Sequence, residues 1–101
     1  MEREKIILEI KKRVNEIDIP KGCGLFLVGS IVDERKEFKP DSDIDIWFTC
    51  TIGTIPSLRD YKRIKKQLGK EIEGHEIHFF APYSLLLFGK PVKKIKLKDN
   101  L

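Results

Sequence analysis

Cysteine is scarce: the chain has two in 101 residues, Cys23 and Cys50. They lack the close spacing of a zinc site, and a reduced, buried pair is the default expectation. Long apolar runs are missing too. None approaches the roughly 20 residues a membrane span needs. No basic n-region leads into an apolar h-region, so no signal peptide is read and a cytoplasmic protein is expected. There is no repeat and no low-complexity tract. Gln, Asn and Met are sparse while Ile, Lys and Glu are abundant, a thermophile-like bias.

What is present fits one small globular domain covering residues 1–101. Apolar residues make up 41% and charged residues 36%, with a net charge of +4. The charge is unevenly spread. Arg59 to Glu71 holds six Lys/Arg and two acids, and Lys90 to Leu101 holds five Lys and one acid. Asp33 to Asp45 holds six acids and three Lys/Arg. Basic flanks around an acidic centre suit a site that holds a cation and a polyanion together. Taken alone, such runs are also an ordinary solvated surface.

The pattern predicts a mixed-sheet α/β (α+β) domain with helices packed on it. Residues 1–18 read as an amphipathic helix on Ile6, Ile10, Val14 and Ile17, ended by Pro20-Lys21-Gly22. Residues 23–28 read as a central strand, apolar on both faces. A polar connection over 31–40 leads to a second strand over about 43–50. It is too short for a crossover helix, so the two strands should be antiparallel. Thr51 to Pro56 reads as a loop. Ser57 caps a helix running to about Leu68, with Leu58, Tyr61, Ile64, Lys65 and Leu68 inward and Gly69 as its stop. Glu76 to Phe80 reads as a third strand, Pro82 to Phe88 as a short apolar helix. The basic tail over about 90–101 allows an edge strand on Ile95 and Leu97, or disorder.

The chemistry centres on Gly29-Ser30 and Ser42-Asp43-Ile44-Asp45-Ile46. Asp43 and Asp45 point the same way from a strand, with Cα atoms roughly 6.6 Å apart. Two such carboxylates repel and lose hydration, and a Mg²⁺ ion is the usual remedy. Asp41-Ser42-Asp43 is also good turn chemistry in its own right. Gly29 allows a tight turn and a close ligand approach, and Ser30 with nearby N–H groups can hold phosphate oxygens. Antiparallel strands place Gly29-Ser30 and the aspartates at one end of the sheet, and Cys23 with Cys50 at the other, where a disulfide can form. Glu76 and His78 share a strand face. Beside the second strand, that face would meet Asp43 and Asp45.

Strand–Gly-Ser–connection–Ser-Asp-x-Asp–strand resembles the nucleotidyltransferase superfamily that includes DNA polymerase beta. In size it is similar to the small stand-alone members called minimal nucleotidyltransferases. The resemblance rests on Val28-Gly29-Ser30 and Pro40 to Ile46, and in element order extends over about 5–88. It implies a nucleotidyltransferase fold, with Gly29, Ser30 and Ser42 at the nucleotide and Asp43 and Asp45 on two Mg²⁺ ions. It implies a third carboxylate on a later strand. Direct line-up puts His78 at that position, and Glu76, two residues earlier on the same face, is the other candidate. Many small members carry an arginine soon after the Gly-Ser, a place Arg35 could fill.

The expected function is Mg²⁺-dependent transfer of a nucleoside monophosphate from an NTP, ATP foremost, to an unidentified acceptor. Asp43, Asp45 and Glu76 would be catalytic. The resemblance also implies a HEPN-type helical partner in a toxin–antitoxin pair. The alternative is a non-catalytic module that keeps the fold and binds nucleotide, RNA or protein through its basic helix and tail.

Overall fold

The chain order is α1 (Glu2–Asn15), β1 (Cys23–Val28), β2 (Ile44–Cys50), α2 (Leu58–Leu68), β3 (Glu71–Ile72), β4 (His75–Phe80) and β5 (Ile95–Asp99). These come from a computed structural model that describes residues 2–50, 57–81 and 93–100. The loop expected over 51–56 and the apolar helix expected over 82–88 lie outside the described residues.

The strands form one mixed sheet in the order β3-β4-β2-β1-β5. β1 and β2 are antiparallel, from Cys23 opposite Cys50 to Val28 opposite Asp45. β4 lies on the other side of β2 and runs parallel to it, with Asp45 opposite His78. A parallel neighbour requires a crossover connection, and α2 lies within it. β5 closes the far edge, antiparallel to β1. A Cα radius of gyration of 13.3 Å is that of a compact domain of this length. The fold is a single α+β domain, as the pattern predicts.

Alternation explains the core. Ile44, Ile46 and Phe48 of β2 are fully buried, while Asp45 and Trp47 between them are only partly so. Ile77 and Phe79 of β4 repeat the pattern. Ile6, Ile10 and Val14 of α1 and Ile64 and Leu68 of α2 join the same cluster. Each such side chain is worth about 1.5–3 kcal/mol when fully buried. β1 is buried at five of its six positions because it has a strand on each side. No described helix is long and apolar enough to cross a membrane.

Ser57 is the N-cap of α2. Ser57 Oγ accepts the Asp60 N–H at 3.0 Å and donates to Asp60 Oδ2 at 2.7 Å. Its inner stripe is narrower than predicted: Leu58 is 66% exposed and Lys65 is also exposed. Leu58 lies in the first turn, and the Lys65 ammonium snorkels to 5.8 Å above the Tyr61 ring. α1 stops at Asn15 rather than Asp18, and a short hairpin strand, β3, precedes β4. Two residues of strand are too few to leave a periodic signal.

The cysteines are not reduced. Cys23 and Cys50 form a disulfide, with Cα atoms 4.0 Å apart. Cys23 sends its N–H to Pro20 and takes the Asn100 N–H on its carbonyl. It therefore exchanges no backbone bonds with Cys50, which makes theirs the closely spaced kind of antiparallel pair.

Phe48, with no exposed surface, stacks on Phe79 at 5.9 Å. Phe48→Ala should lower unfolding stability by about 3–5 kcal/mol in a denaturant titration.

Candidate functional site

The two halves of the site meet where β1 ends and β2 begins. Gly29 follows β1 with φ of +85°, a conformation side chains resist. A Cβ there would lie 2.5 Å from Asp45 Oδ2. The glycine thus turns the chain and makes room for the Asp45 carboxylate. The chain then folds back on itself, with Val32 and Asp33 N–H groups both donating to the Gly29 carbonyl.

On the other side of β2, register brings His78 opposite Asp45. His78 Nδ1 is 3.8 Å from Asp45 Oδ1, and its Nε2 is 3.6 Å from both Asp43 Oδ2 and Glu76 Oε1. One donor atom each from Asp43, Glu76 and His78 lies within 4.8 Å of the others. Both candidates for the third ligand therefore reach the cluster, with the imidazole among the three acids. Asp45 is the more enclosed aspartate, its side chain 31% exposed against 45% for Asp43. Burial raises its pKa, the Asp43 charge adds to the rise, and His78 opposes it. Asp45 thus gains when a cation approaches. The donor set fits Mg²⁺: carboxylate oxygens suit a hard ion, and the His78 nitrogen is the one softer donor. Among the described residues, Asp43, Glu76 and His78 bring donor atoms close enough to share one ion, while the Asp45 carboxylate, expected as a ligand, reaches His78 at 3.8 Å but falls outside that group.

Arg35 goes elsewhere. Its guanidinium donates to both carboxylate oxygens of Asp33, at 3.1 and 3.2 Å. That pairing holds the Asp33 pKa down at about 2. Arg35 thus ties its own loop, and its mostly exposed side chain makes no contact with the acidic cluster.

Two residues the sequence reading passed over brace the site. His75, at the start of β4, is 1% exposed and stacks on Phe38 with ring centroids 4.6 Å apart. Its Nδ1 donates to the Ser42 carbonyl at 2.8 Å, and its Nε2 lies 3.0 Å from Glu2 Oε1. Ser42 directly precedes Asp43, so His75 fixes the turn that delivers it. Ser42 Oγ meanwhile accepts the Lys39 N–H at 2.9 Å, so its hydroxyl is a loop staple. Arg3 donates to the Ser30 carbonyl at 3.3 Å and the Lys36 carbonyl at 2.6 Å. Arg3 and Glu2 stand three and four residues before Ile6. Extending the buried stripe of α1 by one turn would have found them.

Both His75 partners are acceptors, so only an imidazolium satisfies both. Burial works against that charge, but the Glu2 carboxylate, the Ser42 carbonyl and Glu73 outweigh it, and the pKa is raised. A raised pKa makes this stabilisation full below the unfolded value of 6.5 and lost as pH climbs through the folded value.

No family model matches the chain, no curated protein matches its sequence and no solved structure matches its fold.

Two outcomes check this geometry. Gly29→Ala should lose more than about 1 kcal/mol from its positive φ, before the clash with Asp45 is counted. Calorimetric Mg²⁺ affinity should fall with it. The stability gap between the wild-type chain and His75→Gln should be widest near pH 6 and narrow towards pH 9, in denaturant titrations across that range.

Proposed function

We propose that this chain is a Mg²⁺-dependent nucleotidyltransferase domain, transferring a nucleoside monophosphate from an NTP, with ATP the first candidate, to an acceptor hydroxyl. One observation supports the reading above the rest. Asp43, Asp45, Glu76 and His78 converge beside the Gly29 turn, at the end of the sheet where β1 stops. That arrangement would set a phosphate-binding turn beside a cation-binding cluster, which is what a metal–triphosphate complex needs.

The reaction balances simply. The acceptor oxygen bonds to the α-phosphorus, the bond to the bridging oxygen breaks, and pyrophosphate leaves. The acceptor's proton would pass to a carboxylate, for which Glu76, the most open of the acids at 72% side-chain exposure, is the candidate. Gly29 and Ser30 would receive the β- and γ-phosphates through backbone N–H groups and the Ser30 hydroxyl. Bound Mg²⁺ supplies charge neutralisation to the phosphates and to the departing oxygen. Asp43 and Asp45 would hold the ion and so orient the reactants. The resemblance that motivates this reading also brings a HEPN-type protein forward as a partner.

A non-catalytic binding module is the second reading. It draws on His78, which stands opposite Asp45 where a third carboxylate would complete the site.

Calorimetry with each NTP, with and without Mg²⁺, separates the two. An enzyme should bind NTP only with the metal, and Asp43→Asn should weaken that binding by more than about tenfold. Radiolabel transfer from the NTP should vanish in Asp45→Ala. NTP binding indifferent to Mg²⁺ and to Asp43→Asn would overturn the proposal.

A further inference from the structure

A groove of about 950 Å³ runs between α2 and the outer edge of β4. Lys62, Lys65 and Lys66 line its helix side, at positions i, i+3 and i+4, and Lys70 continues the row past Gly69. All four are exposed, and none is in an ion pair among the described residues. Their neighbour Arg63, by contrast, is tied to Asp60, to Gln67 and to the Asp18 carbonyl. The groove's acids are Glu71 and Glu76. Glu76 and His78 belong to the acidic cluster, so the groove opens directly onto the candidate site.

The opposite wall carries Phe80, 45% exposed, its ring edge-on to His78 at 6.1 Å. Exposed ammonium groups and an exposed ring lining one groove are the combination that holds single-stranded nucleic acid, charges tracking phosphates and the ring stacking a base. The edge of β4 is less suited to adding a peptide strand. β3 pairs with His75 and Glu76, the Ile77 N–H donates to the Lys70 carbonyl at 2.8 Å, and beyond it the Tyr61 hydroxyl already donates to the Phe79 carbonyl at 2.8 Å. A strand pairing there would have to break that bond.

We infer that the groove formed by Lys62, Lys65, Lys66, Lys70 and Phe80 binds a single-stranded nucleic acid and leads one of its hydroxyls to the acidic cluster. The second half rests on the nucleotidyltransferase reading and makes the strand the acceptor; the first half stands without it.

The test is fluorescence anisotropy of the full chain with a labelled 12-nucleotide single strand, in EDTA, from 50 to 200 mM salt. Four phosphate contacts give a log–log salt slope near −2.8, an affinity loss of about fifty-fold over that range. Lys62→Gln/Lys66→Gln should halve the slope, to about −1.4, a loss of roughly seven-fold. Phe80→Ala should weaken binding about tenfold, and Phe80→Trp should retain it. Circular dichroism on each variant checks that the fold persists. Asp43→Asn should leave the strand bound while weakening Mg²⁺–NTP binding more than about tenfold. Strand binding without any Mg²⁺–NTP binding would sink the enzyme reading and leave the groove standing. Mg²⁺–NTP binding with no strand binding would sink the groove alone. An unchanged slope in the double lysine variant, or an acidic peptide displacing the strand at equal charge, would also overturn the groove.

Discussion

The Asp45 carboxylate can turn toward the end of β1 because position 29 has no side chain. The carboxylate occupies space that any other residue's Cβ would enter. The same glycine takes the positive φ that reverses the chain after β1. One atom's worth of absence therefore permits both the turn and the orientation of the carboxylate beside it. β2 then carries the effect across the sheet. It pairs with β1 on one side and β4 on the other, so Val28, Asp45 and His78 fall in one row. A slip of one residue in either pairing would send Asp45 or His78 to the core face.

Bracing from outside the sheet keeps that row in place. α1 contributes Arg3 to the loop after Gly29 and Glu2 to His75, and His75 in turn holds the turn before Asp43. The helix that packs the core with Ile6, Ile10 and Val14 thus steadies both loops of the candidate site with its first turn. Packing and positioning are shared by one amphipathic element rather than divided between two.

The sequence was informative where a pattern repeats. Alternation along Ile44 to Phe48 located β2 and its inner face, and the length of the polar connection determined that β1 and β2 are antiparallel. The convergence of Glu76 and His78 on Asp43 needed only that β4 lie beside β2. Other features left no periodic trace. β3 is two residues long, and Lys65 sits on an apolar stripe yet turns its charge outward. His75 gave no signal, because a buried histidine between two oxygen acceptors is defined by partners 33 and 73 residues away. Arg35 fits by position the place of the arginine that follows Gly-Ser in the resembled family, but it closes on an aspartate two residues before it.

The disulfide lies at the opposite end of β1 and β2 from the acids, joining residues 27 positions apart. The bond closes a covalent ring, and Gly29, Ser30, Ser42, Asp43 and Asp45 all lie inside it. A protease cut anywhere in the exposed stretch from Glu34 to Glu37 would open the backbone without releasing a fragment. Both arms of the ring would remain tethered through sulfur, and the sheet could hold the glycine turn and the two aspartates together after the main chain between them had been severed.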